Sequence, residues 1–391
     1  MKKGFILMLS AAALLTACSS NDELSSLVNG GGTSNNGVPI SIGTSVTSAK
    51  ETRGAGTVGG IADNANVWSG QKVYVYMVNK GTSILAADST DKKPIYENAA
   101  LTTPSDTVTG EAARTDGTIC YYPAKGIFDF WGYYINDAAK NYDKNNTPVA
   151  TIDGDSIYVP FKIDGSQDLM TAKAAPSAKD LSNTTADSCY SAHAARRNVQ
   201  PNLTFKHQLT RLTFSISANS AKEADPSTGV NVDSIKVLTK SSGKLVIIPT
   251  DKKMTEGYIV YDENQNLDSV TLKDRTSKDL TDNLTKLAST KPDPTGSKTL
   301  GEALLVAPAD SMTFVIFCSQ NVLTSTSSTE LSLKSFAYSA KVAGPQDGGG
   351  IFEKGKSYNV NIKIYGLEQI KINTTLEAWK DGGSISIDED N

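Results

Sequence analysis

Short runs in which apolar and polar residues alternate recur along most of the chain, divided by polar turns that carry Gly or Pro. LTFSISA at 212–218 puts Leu212, Phe214 and Ile216 on one face and Thr213, Ser215 and Ser217 on the other. SYNVNIKIY at 357–365 repeats the pattern with Tyr358, Val360, Ile362 and Ile364. VYVYMV at 73–78, IFDFWGYY at 127–134 and TFVIF at 313–317 are strand-like apolar runs. Period two with β-branched and aromatic enrichment predicts strands. Their number and spacing predict a mainly all-β protein of antiparallel sheets packed as sandwiches. Helical stripes are scarce, and the best candidate, KDLTDNLTKLAST at 278–290, is short and polar. Residues 79–118 and 271–300 carry Thr, Ser, Asp and Pro with little periodicity and read as loops or insertions. RRNVQPN, ahead of a strong strand, suggests a domain boundary near residue 200, giving domains at 38–200 and 201–391.

The N-terminus has a different texture. Lys2 and Lys3 precede an apolar run, Phe5 to Leu15. A bilayer-spanning helix needs about 20 apolar residues, so the run has signal-peptide length instead. It ends Leu15-Thr16-Ala17-Cys18, which resembles a bacterial lipobox. That resemblance implies cleavage of 1–17, diacylation of the Cys18 thiol and acylation of its new amine. Two or three acyl chains, at about 0.8 kcal/mol per buried methylene, hold a protein firmly to a leaflet. Residues 18–37, rich in Ser, Asn and Gly, read as a flexible tether. The expected location is the outer membrane, lipid-anchored and surface-exposed.

Composition narrows the chemistry. Net charge is −4 over 391 residues, which gives no basic surface for nucleic acid. The only histidines are His193 and His207, thin material for a metal site or a general base. Beyond Cys18, Cys120, Cys189 and Cys318 are widely separated, form no CxxC pair and read as mostly buried small apolar residues. GAGTVGG at 54–60 matches G-x-G-x-x-G, but IADNANVWSG after it lacks a helical pattern, so a glycine-rich loop is the simpler reading. Asp153 and Asp155 in IDGD read as a hairpin turn, and Asp388, Glu389 and Asp390 as a solvated tail. Neither supplies the ligands of a calcium site. His207, in FKHQLTRL, reads as a structural hydrogen-bonding residue. The expectation is a protein with no catalytic residues, no metal and no cofactor.

Taken in order, the segments resemble a fimbrillin-type precursor, the pilin of type V pili on Gram-negative oral and gut anaerobes. The lipobox comes first, then VPISIGTSVTSAKETRG, WSGQKVYVYMV, YYPAKGIFDFWGYY, DLMTAKA and FKHQLTRLTFSI. LLVAPADSMTFVIF, KGKSYNVNIKI and WKDGG follow. The resemblance implies two tandem transthyretin-like β-sandwich domains. It implies export as a lipoprotein, then cleavage by an Arg-directed protease between Arg53 and Gly54. It also implies donor-strand assembly, in which a groove vacated by the first strand accepts a strand from the next subunit. The candidate donor is Ser384-Ile385-Ser386-Ile387, with Ile385 and Ile387 as plugs. Its partners are other fimbrial subunits, in a homo- or hetero-polymer that supports adhesion to a host or bacterial surface.

The competing reading is a monomeric surface lipoprotein that binds glycan or a host ligand through exposed aromatics at Trp68, Trp131, Tyr133 and Tyr134. Burial of those rings counts against it.

Overall fold

Among the described residues, the alternating and apolar runs become strands, with their apolar sides in the cores. The computed structural model describes residues 37–377 except 47–67, 89–91, 108, 264–265, 276–283, 325–328, 346–348 and 367–368. In chain order the first strands are β1 (Ile42–Val46), β2 (Trp68–Ser69), β3 (Lys72–Asn79), β4 (Ala99–Thr102), β5 (Ser105–Thr107) and β6 (Thr109–Arg114). Next come β7 (Phe128–Ile135), β8 (Thr151–Asp153), β9 (Ser156–Lys162) and β10 (Leu169–Lys173). Two short helices, α1 (Ala178–Asn183) and α2 (Ala192–Ala195), precede β11 (Asn202–His207), β12 (Thr210–Ala218) and β13 (Val230–Thr239). Then follow β14 (Ser242–Ile248), β15 (Tyr258–Tyr261), β16 (Asp268–Thr271), β17 (Lys273–Arg275) and β18 (Leu284–Lys286). The last are β19 (Lys298–Val306), β20 (Ser311–Leu323), β21 (Leu331–Ala343), β22 (Ser357–Gly366) and β23 (Gln369–Glu377).

Seven strands close into a barrel in the order β1-β11-β10-β7-β3-β4-β6, with β6 returning to β1. Its interior holds Ile42, Val75, Met77, Phe130, Leu203 and Phe205, each at most 1% exposed. Gly132 on β7 permits this packing, because a Cβ there would lie 2.9 Å from the Phe205 ring and 3.0 Å from Leu203.

The second core lies between two four-stranded sheets, β19-β12-β22-β23 and β16-β13-β20-β21. Leu212, Phe214 and Ile216 point inward as their alternation predicts, with Tyr358, Val360, Ile362 and Ile364 beside them. Phe214 and Phe314 meet edge to face across the sandwich, 6.3 Å between centroids. Two pairings are parallel, β1 with β11 and β12 with β22, so the sheets are mixed.

A third core joins these halves. β9, from the first half of the chain, pairs with β14 from the second, in the sheet β15-β14-β9-β8. That sheet covers the outside of β3 and β7, burying Tyr76, Trp131 and Tyr133 against Phe161, Leu245 and Ile247. Cover on both faces explains why VYVYMV is apolar without alternation. At the end of β11, His207 Nδ1–H donates to Asp168 Oδ2 (2.7 Å), both side chains being buried. Beyond it, Gln208 Nε2 donates to Thr171 Oγ1 (2.9 Å), and Lys354 Nζ donates to Gln208 Oε1 (3.2 Å).

Two expectations are corrected. Residues 79–118 are not a plain insertion, because β4 and β6 inside them are barrel staves. Their Ala, Gly and Thr content hides the alternation. The helix expected at 278–290 is not formed over Leu284–Lys286, which pairs with Lys273–Arg275 as a strand. Residues 178–183 form a helix instead, started by a capping box between Ser177 and Asp180.

Phe161, with no exposure, packs edge to face on Tyr261 in the third core. Phe161→Ala is expected to cost about 3–5 kcal/mol, read as a lower urea midpoint. Burial pushes the Glu256 carboxyl up, but hydrogen bonds from Lys206 and Lys354 (2.7 Å each) outweigh it and hold the group below its ordinary range. An unfolded chain therefore takes up the proton first. The stability this carboxylate contributes is present above its unfolded pKa and lost as pH falls through the folded one. Glu256→Gln is expected to flatten that acid limb in denaturation midpoints measured from pH 6 down to pH 2.

Candidate functional site

The sequence IGTSV can serve as a strand with one buried face, and its position makes it a bridge. β1 is hydrogen-bonded on both edges. On one side it runs parallel to β11, with Gly43 opposite Asn202 and Val46 opposite Phe205. On the other it runs antiparallel to β6, with Ile42 opposite Ala112 and Ser45 opposite Thr109. β1 is thus the stave that closes the barrel between β6 and β11.

Ile42, Thr44 and Val46 face inward at 1%, 0% and 2% exposure, and Ile40 joins the same core. The Thr44 hydroxyl, buried with them, donates to Gly110 O (3.1 Å). On the other face Ser45 Oγ and Thr204 Oγ1 are 3.0 Å apart and share a hydrogen bond. Gly43 leaves room for Asn202, whose Oδ1 would sit 3.0 Å from a Cβ at that position. The approach to the strand is pinned as well. Tyr122 N–H donates to Val38 O, Ile40 N–H to Cys120 O (2.9 Å each), and Gln200 Nε2 to Pro39 O (3.0 Å).

Burial of Ile40, Ile42 and Val46 contributes on the order of 5–9 kcal/mol. Whole domains are stable by only about 5–15 kcal/mol. Loss of β1 therefore exposes an apolar trough flanked by two rows of unpaired backbone groups, a template for another strand.

Arg53 and Gly54 lie outside the described residues, as do Cys18 and Ser384 to Ile387. Arg53 follows Val46, the last residue of β1, by seven positions. Those residues reach at most about 25 Å when extended. β1 therefore lies upstream of Arg53 in the chain.

The aromatics that suggested a glycan platform are buried: Trp68 at 0%, Trp131 at 1%, Tyr133 at 0% and Tyr134 at 4% exposure. Trp68 meets the Phe205 ring edge to face (5.3 Å), inside the barrel behind β1. His207 hydrogen-bonds to Asp168 as a structural residue. IDGD forms the β8–β9 hairpin turn, with Gly154 at φ 56°. Cys120, Cys189 and Cys318 are free thiols, and burial pushes Cys318 up to about 12. Among the described residues no cluster of three or more His, Cys, Asp or Glu is placed to hold a metal ion. Sequence reasoning missed the walls of the trough. β6 reads TGEAAR, where Ala112 is the lone inward apolar signal.

A family model for fimbrillin-like proteins matches residues 61–379, and the chain belongs to that family. A fimbrial or adhesive role at the cell surface, in assembly with other fimbrial subunits, follows from this membership. Similar solved structures include a candidate cell adhesion protein from Parabacteroides distasonis, at 11% identity over 89% of this chain and 99% of that one, TM-score 0.49. Another, from Bacteroides uniformis, has 15% identity over 88% and 99%, TM-score 0.45. A fimbrial protein from Bacteroides ovatus has 10% identity over 85% and 50%, TM-score 0.30. No curated protein matches the chain.

Ile42→Ala is expected to lower stability by about 2–5 kcal/mol. Ile84, 65% exposed, gives the control: Ile84→Ala stays within about 0.5 kcal/mol. Urea denaturation of the uncut chain checks both.

Proposed function

We propose that this protein is a structural subunit of a cell-surface fimbria, delivered to the outer membrane as a lipoprotein on Cys18 and assembled by strand exchange. Cleavage between Arg53 and Gly54 releases the lipid anchor together with β1. The trough between β6 and β11 then accepts a strand from the next subunit. Ladder hydrogen bonds hold the incoming strand, and alternate side chains fill the places of Ile42, Thr44 and Val46. Ser384-Ile385-Ser386-Ile387 supplies that strand, with Ile385 and Ile387 as the plugs. In this reading the chain is divided into two tandem domains, 38–200 and 201–391. The observation that carries this reading is the two-sided pairing of β1, upstream of Arg53 in the chain.

Intact mass and N-terminal sequencing of the protein from its native cell surface test it. The expected filament subunit starts at Gly54. Arg53→Ala is expected to leave the chain starting at acylated Cys18 and to abolish filaments that contain it. Filaments built from the uncut chain contradict the proposal.

A further inference from the structure

At one side of the barrel, segments far apart in sequence surround a cleft of about 620 Å3. It is bordered by the start of β3, the stretch leading into β4, the end of β6 and the turn at 143–147. A smaller hollow of about 150 Å3 shares Lys72, Tyr74 and Asn146 with it. Small-molecule sites occupy about 300–1,000 Å3. Every bordering residue lies after Arg53 and none belongs to β1. The cleft therefore exists before and after processing, and nothing in this inference depends on strand exchange.

The lining has an unusual backbone. Six non-glycine residues among those described have positive φ. Three of them border the two cavities: Asn98 (φ 50°), Asp137 (φ 49°) and Asn146 (φ 58°). Glycine holds such a conformation without steric penalty, yet here the chain keeps an amide or a carboxylate at each place. These groups are set in advance. Tyr133 Oη donates to Asn98 Oδ1 (2.6 Å), and Asn98 Nδ2 donates to Pro148 O (2.7 Å). Asp143 Oδ1 accepts from the backbone N–H of Asn145 (2.8 Å) and Thr147 (2.9 Å), which fixes the turn.

The side chains of Lys72, Glu97 and Asn146 make no hydrogen bond or ion pair among the described residues. They present an ammonium donor, a carboxylate acceptor and an amide that is both. Arg114 is already committed to Asp116 (2.6 Å). Lys72 and Lys93 are set against Glu97, Asp137 and Asp143, so the cleft holds no excess of positive charge for an anion. Most of its bordering residues are polar or charged, with Pro94, Ile95, Ala99 and Ala100 the apolar ones, which disfavours a wholly apolar guest. Neutral hydroxyls, each able to donate and accept at once, match this set of groups. We propose that the cleft binds a neutral saccharide, held by Lys72, Glu97 and Asn146.

The test presents the full chain, purified in detergent, to a printed panel of neutral and sialylated oligosaccharides, with affinities of the hits measured by calorimetry. At least one neutral oligosaccharide is expected to bind. Lys72→Ala, Glu97→Gln and Asn146→Gly are each expected to weaken it at least tenfold at unchanged melting temperature. Asn146→Gly keeps the left-handed backbone and removes only the amide. The proposal is overturned if no neutral oligosaccharide binds, if only sialylated ones bind, or if neutral binding survives all three substitutions.

Discussion

A single five-residue strand, bonded on both edges, closes the barrel. β1 has β6 on one side and β11 on the other, and no other described strand joins those two. Its inward side chains fill the barrel core beside Trp68 and Phe205. The order of the chain makes this arrangement consequential. β1 is the first strand described, and its parallel pairing with β11 places it far in sequence from both neighbours. A stave supplied from one end of the chain is one that a cut can remove without breaking the rest of the barrel's covalent path.

Much of the remainder of the fold is held by contacts that do not involve β1. The far side of the barrel, β3 and β7, is covered by a sheet to which both halves of the chain contribute through β9 and β14. Trp131 and Tyr133 sit in that third core, away from β1. The Asp168–His207 pair and the Gln208 contacts tie the end of β11 to β10 and to Lys354. Burial of this polar set without partners would cost several kcal/mol, so its hydrogen bonds hold the junction in one geometry. These contacts anchor the end of β11 independently of β1.

The parts of the fold readable from sequence were those in which the side chains themselves carry the period. β12 and β22 alternate large apolar and polar residues, and all their inward positions are buried. β3 was readable as a strand, but the reason for its unbroken apolar run, cover on both faces, requires β9 and β14 to be in place. β4 and β6 were not readable, because Ala, Gly and Thr give little contrast between faces. β18 was mistaken for helix because three residues of NLTKL carry too short a pattern to separate the two periods. The seat of β1 was half visible: the strand and the Thr-Arg after it stand out, while its walls depend on pairings more than 60 residues away. The saccharide cleft was invisible for the same reason. Its polar residues come from the start of β3, the stretch before β4 and the turn at 143–147, and only the folded chain brings them together. The proposed lipidation of Cys18 and the proposed donor strand are read from sequence alone.

Hydrogen exchange measured by mass spectrometry on β6 (Thr109–Arg114) and β11 (Asn202–His207) tests the central claim most directly. The uncut chain, the chain cut at Arg53 with its N-terminal fragment removed, and the assembled filament are compared. If β1 closes the barrel and a partner strand replaces it, both segments are protected in the uncut chain, exchange rapidly in the cut monomer and are protected again in the filament. Protection that the cut leaves unchanged, or that assembly fails to restore, contradicts the account.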